Sequence, residues 1–346
     1  MTKRTFFVNA LLALVSGIGC TGKSTKVYVS LHGDDAITVL DGTTHAVVDT
    51  ISVGQGPAIL VETPDHKKLY SANWVSNTVS AVTLATRAVT SIQMPNAARP
   101  FVIAQSPDGR SIYAGLYAPT IAVIDTATDT VARTIAQPSI PMSIRVSPDS
   151  STLYVAYPDN TLAAISAATG VVQKAPISVG SFPAWITMSR DGSKVYPLNF
   201  LGGSVDVVDT ASWQVTTTMN MGAGAFPIIG EPTPDDTTLA VTNVQAGNTH
   251  LIDTATNTIE HTIDLGGRMP VGVNFSPDGA RGYITDFGDA SIGINQVQML
   301  LAGIGGAPFP FELPGRLTVF NPTTGATIDT VTVGAAATSV VVIPAE

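Results

Sequence analysis

SPDSSTLYVAYPDNTLAAISAATGVVQKAPISVG, residues 147–180, carries the unit from which the rest of the chain is built. It opens on a β-turn with Pro148 at the second turn position, where a fixed φ suits the bend. A short aromatic strand (LYVAY) follows, then a polar loop, then an alternating strand (LAAIS) that ends on Ser166. A third strand and a Gly-marked crossing complete the unit, and Pro183 opens the next apolar run. Short strands of period two, punctuated by turn residues, describe antiparallel sheet rather than helix.

The unit recurs. Its aromatic step falls on Tyr28, Tyr70, Tyr113, Tyr154, Tyr196, Ala240 and Tyr283, at intervals of 42, 43, 41, 42, 44 and 43 residues. A period in the low forties with four alternating strands is that of propeller blades, and seven copies give seven blades. The second alternating strand of each copy ends on Asp41, Thr83, Asp125, Ser166, Asp209, Asp253 or Asn321. These are small polar side chains that can bond the backbone two residues on and so start a tight turn. The innermost strands (AILVE, FVIAQ, VGVNF) end in TPDH, SPDG, SPDS, SRDG, TPDD and SPDG turns. The last innermost strand is SVVVI, 339–343, and the strand that should pair with it lies at Lys26, Val27 and Tyr28. One blade is therefore expected to be built from both ends of the chain, which closes the ring and removes an open sheet edge. The expected fold is all-β: a seven-bladed β-propeller of four-stranded antiparallel blades spanning 26–346.

Composition agrees with a packed β protein. Of 346 residues 45% are hydrophobic and 12% charged, with Gly 31, Pro 23 and a net charge of −9. An acidic chain without a Lys/Arg run disfavours nucleic acid as a partner. Residues 1–19 have the layout of a secretory signal, with Lys3 and Arg4 ahead of an apolar run too short to span a bilayer. Cys20, the sole cysteine, sits where cleavage would expose it, like the lipid-bearing cysteine of bacterial lipoproteins, and 20–25 would be a linker. The expected location is extracytoplasmic, periplasmic or at the cell surface, as a lipid-anchored monomer with no other contact to a membrane.

The repeats resemble the YVTN-type β-propeller repeat, with Tyr283 to Asp286 (YITD) and Ala240 to Asn243 (AVTN) closest to the tetrapeptide. That resemblance covers the whole propeller region. It implies the seven-bladed fold, and among relatives both cell-surface lipoprotein antigens and lactonase-type enzymes.

In propellers the loops that converge on the axial channel usually carry function. On that face the sequence places His32, Asp34, Trp74, Arg99, Tyr157, Trp185, Arg268 and Asp286 as candidate ligand-binding residues. Aromatic rings interleaved with Asn and Asp suit a glycan or a small polar ligand, although turns alone also require Asn, Asp and Gly. With five histidines, two of them in opposite-face turns, no multi-histidine metal centre is expected. No cofactor is expected; calcium at Asp34 and Asp35 or Asp286 and Asp289 is the only metal the loop carboxylates suggest. The chain lacks a C-x-x-C-H haem motif and a G-x-S-x-G elbow, and its catalytic residues stay unassigned. One departure breaks the seven-fold pattern. After Tyr283 the next repeat strand arrives about 25 residues late, so an apolar insertion of about 293–316 emerges on the loop face. Its Met299, Leu300, Phe309 and Phe311 would form a lid or a partner contact. Two functions follow: a binding scaffold for a protein, surface polymer or small ligand, or a lactone hydrolase or lyase working at the channel mouth.

Overall fold

The computed structural model describes residues 25–289 and 313–345. Cys20, the leader and the insertion residues Met299, Leu300, Phe309 and Phe311 lie outside them. Twenty-eight strands form seven four-stranded antiparallel sheets among the described residues. Blade 1 is composite: its inner strand is Ala337–Pro344, followed outward by Thr25–Leu31, Ala36–Asp41 and Val47–Ser52. The inner strands of blades 2 to 7 are Pro57–Glu62, Pro100–Gln105, Ser143–Val146, Pro183–Met188, Pro227–Pro232 and Arg268–Phe275. Each inner strand touches the next around the axis, and the seventh returns to the first, so the ring is closed as the repeats predict.

Closure rests on the antiparallel pairing of Lys26 with Ile343, Val27 with Val342, Tyr28 with Val341 and Val29 with Val340. Alternate residues of these two strands feed different interblade cores. Val27, Val29, Val340 and Val342 pack toward blade 7 with Tyr283, and Tyr28, Val341 and Ile343 toward blade 2 with Leu69. The aromatic step is buried throughout; Tyr28, Tyr70, Tyr196 and Tyr283 are 0–2% exposed.

The third residue of the YVTN-like step has a role that periodicity does not reveal. Thr242 Oγ1 accepts from Ile229 N (3.2 Å) of its own inner strand and donates to Val271 O (3.0 Å) of the next. Thr285 Oγ1 does the same, taking Gly272 N and giving to Thr338 O, both at 3.0 Å. In blade 1, Ser30 Oγ accepts from Ser339 N at 3.0 Å and lies 2.7 Å from Thr338 Oγ1. At these three places the inner-strand pairing shifts register (between Pro227 and Ile229, between Pro270 and Val273, and around Ser30 in blade 1), which leaves a backbone group without a ladder partner that the hydroxyl replaces.

The two kinds of turn form as their residues dictate. Asp41 Oδ1 accepts from the amides of Thr43 (3.0 Å) and Thr44 (2.8 Å); Asp125, Asp253 and Asn321 repeat the pattern. Those amide bonds hold the Asp41, Asp125 and Asp253 carboxyls below the usual carboxylate range. In the Pro-Asp turns the leading hydroxyl donates to the Asp two residues on, as in Ser106 to Asp108 and Ser276 to Asp278, both 2.6 Å. The following amide closes back on that hydroxyl oxygen, as Ser111 N does on Ser106 at 2.9 Å.

Replacing Thr242 with Val keeps the shape and removes the hydroxyl, leaving Ile229 N and Val271 O unpaired in a buried site. The expected loss is about 1–3 kcal/mol in denaturant unfolding, whereas the exposed Thr90→Val should stay within about 0.5 kcal/mol. Equal effects would refute the bridging role.

Candidate functional site

On the loop face, the structure divides the sequence-selected residues into two groups. One group belongs to the frame. Asp286 is buried and accepts from Arg268 Nε (2.9 Å), Gly288 N (3.0 Å) and Arg316 N (3.3 Å), with Arg268 Nη2 at 2.6 Å from the same oxygen. Burial pushes its carboxyl up, and Arg268 opposes that shift. Arg268 also donates to Pro314 O (2.6 Å), so the pair ties the strand at Asp286 and Gly288 to the strand that begins at Pro314. Asp34 Oδ2 accepts from Ala335 N at 2.7 Å. Tyr157 is buried and its hydroxyl donates to Gln137 Oε1 at 2.6 Å. His32 is 7% exposed, and burial lowers its pKa to about 4, against the pull of Asp35.

The asparagines of the YVTN-like step are frame residues as well. Asn73, Asn199 and Asn243 are fully buried. Their amides bridge the loop after the aromatic strand, Asn73 to Thr78 and Ser80, Asn199 to Ser204, Asn243 to Asn248. The crossing loop packs directly on them: a Cβ at Gly54 or Gly180 would lie 2.5 or 2.3 Å from the amide nitrogen of Asn73 or Asn199.

The second group is presented outward. Trp74 is half-buried, with Phe101 (5.7 Å) and Tyr117 (5.5 Å) edge-on and the exposed Arg99 guanidinium 5.3 Å from its ring centre. Three blades round, Phe200 is buried between Phe182 (6.4 Å) and Phe226 (5.0 Å), which are half-buried. Phe182 and Phe226 both have φ of 53°, left-handed backbone that a bulky residue adopts only at a cost, just before Pro183 and Pro227. The equivalent residue in blade 2 is Gly56, φ 68°.

Trp185 lies elsewhere than expected. It is the third residue of blade 5's inner strand and lines the axial channel, not the loop face. Two adjoining hollows of about 260 and 290 Å³ open there toward the Pro-Asp turns. They share Val61, Gln105, Arg145, Arg190 and Glu231. Arg145, from blade 4, reaches across blade 5 to Glu231 of blade 6 (Nη2–Oε2 3.0 Å), with its guanidinium 5.1 Å from the Trp185 ring centre. The Trp185 indole N–H and Gln105 Oε1 are buried without a partner among the described residues. A buried donor left so costs about 1–3 kcal/mol. Sequence reasoning missed this cluster, although a charge at the end of an apolar inner strand (AILVE, SIRV, IIGE) was a visible signal.

Among the described residues, no group of three His, Cys, Asp or Glu is placed to hold a metal ion, and no helix is long and apolar enough to cross a membrane.

The fold defines a seven-bladed β-propeller with a charge-lined axial channel and an aromatic loop face. No family model matches the chain. A stretch of 82 residues is 35% identical to the seven-bladed beta-propeller protein Rv1057 of Mycobacterium tuberculosis, covering 24% of this chain and 20% of that protein's length. Among solved structures, Kuenenia stuttgartiensis hydrazine synthase matches 85% of this chain and 99% of its own (TM-score 0.60, 19% identity). The dihydro-heme d1 dehydrogenase NirN, in complex with DHE, matches 91% and 74% (TM-score 0.60, 16% identity). These likenesses concern the fold.

His32 makes stability depend on pH. The unfolded ring binds a proton near pH 6.5, the folded one only near 4, so the unfolded state takes up the proton first as pH falls. Stability should decline by about 3 kcal/mol between pH 6.5 and 4. Urea titrations should show this decline flattened in His32→Gln; an unchanged slope would refute it.

Proposed function

We propose that this chain is an exported, lipid-anchored binding scaffold that holds a surface polysaccharide against its loop face. The observation that carries the reading is the pair of aromatic groups there, Trp74 with Phe101 and Tyr117, and Phe182 with Phe200 and Phe226. Flat rings with a polar rim suit the C–H faces and hydroxyls of sugars, and Arg99 adds a donor beside Trp74. The backbone strain at Phe182 and Phe226 supports function, since frame packing alone is met by Gly56 in the same place. The titratable residues of that face support a scaffold over a catalyst: Asp286, Asp34 and Tyr157 are engaged in hydrogen bonds that hold loops together. The hydroxyl bridges of Thr242 and Thr285 support membership of the YVTN-type repeat family. Placement outside the cytoplasm rests on the leader sequence and Cys20.

The second reading is a small-molecule enzyme, favoured by the raised carboxyl of Asp286 beside Arg268 and by structural neighbours whose names denote enzymes. Turnover on a panel of lactones and esters, abolished by Asp286→Asn in a folded protein, would establish it in place of the scaffold.

Binding of purified surface polysaccharide should fall at least tenfold in Trp74→Ala and in Phe226→Ala, since aromatic anchors dominate such surfaces. Isothermal titration measures it; undiminished binding in both variants would refute the loop-face site. In cells, Cys20→Ser should abolish incorporation of labelled palmitate and move the protein from the membrane to the soluble fraction.

A further inference from the structure

The turn-face hollows lie at the opposite end of the axis from the aromatic groups, so what they bind is independent of the polysaccharide reading. Their lining combines opposite charges in equal number, Arg145 and Arg190 against Glu62 and Glu231, on apolar walls of Ile59, Ile103, Ile229 and Val341. Arg145 gives one donor to Glu231, and Arg190 gives its Nε to Thr233 O at 3.2 Å. Both guanidinium groups thus keep donors facing the space, and the Trp185 indole N–H, in a residue 9% exposed, has no acceptor among the described residues. On the acceptor side stand Gln105 Oε1, also unpartnered, and one further carboxylate oxygen each of Glu62, whose Oε2 meets His66 Nδ1 at 2.8 Å, and of Glu231, whose Oε2 takes Arg145.

A plain anion entering here would meet two glutamates, and a plain cation two arginines, each repelled at short range in a partly dry site. A molecule bearing both charges satisfies both sets. The volume, about 260–290 Å³, falls just below the roughly 300–1,000 Å³ of ordinary ligand pockets, which restricts the occupant to a small molecule. We propose that the turn-face end of the axial channel binds a small zwitterion of the α-amino-acid type. Its carboxylate lies against Arg145, Arg190 and the Trp185 indole N–H. Its ammonium is held by Glu231 and Glu62, and a short apolar side chain lies on the isoleucine wall. Five blades contribute charged or hydrogen-bonding groups, so the bound molecule ties inner strands 2 to 6 together.

The test is isothermal titration of the full chain with the twenty common L-amino acids at millimolar concentration. L-valine is compared with isovalerate, which lacks the ammonium, and isobutylamine, which lacks the carboxylate. At least one small apolar amino acid should bind, with both valine analogues about tenfold weaker or more. Arg145→Met should weaken binding at least tenfold and Trp185→Phe several-fold, while Trp74→Ala on the far face leaves it unchanged. Arg190→Met, at an exposed position, gives the same loss if Arg145→Met fails to fold. Absence of binding across the panel, isovalerate binding as tightly as valine, or indifference to Arg145 and Arg190 would each overturn the proposal.

Discussion

The pairing of Thr25–Leu31 with Ala337–Pro344 is the constraint on which the rest of the molecule depends. Each blade buries its faces only against its two neighbours, so an unclosed array would expose two apolar sheet faces and two strand edges. Joining the ends of the chain within one sheet removes both. It also fixes the number of inner strands around the axis and hence the width of the channel. Hydroxyls at Ser30, Thr242 and Thr285 work at the same radius, where they pair backbone groups that the inner-strand irregularities leave without ladder partners. Closure and polar satisfaction at the axis are therefore one problem, solved by the same short tetrapeptide step.

A ring so constrained presents two unlike ends. At the loop end, the buried asparagines and the Arg268–Asp286 pair lock the crossings in place, and the aromatic residues between them project. Rigidity there is useful to binding, because preordered rings lose little entropy when a partner arrives. At the turn end the channel holds charged groups drawn from blades 2, 4, 5 and 6, bridged once by Arg145 and Glu231. That bridge spans a blade, which only a narrow ring permits.

Much of this was legible in the chain. The spacing of the aromatic steps gave the blade count, the tight-turn residues gave the hairpins, and the last strand without a partner pointed to Tyr28. The asparagine positions were visible too, but their direction was not. A residue at the loop end of a strand reads the same whether its amide faces solvent or turns inward onto Thr78 and Ser80, as Asn73 does. Trp185 shows the same limit: one step along the strand separates the loop face from the channel wall. Arg268 and Asp286 both read as candidate ligand-binding residues of the loop face, yet burial makes them an ion pair that holds the frame.

By itself the sequence determined the period, the strand order, the seven blades and the closure, because these follow from local alternation and from counting. Only the tertiary structure decided which polar groups are free to act. Closing the ring brings residues 86 positions apart, Arg145 and Glu231, within 3.0 Å across an intervening blade. No local pattern encodes that distance; it arises from the curvature of seven packed sheets, which converts three unremarkable inner-strand side chains into one charged channel lining.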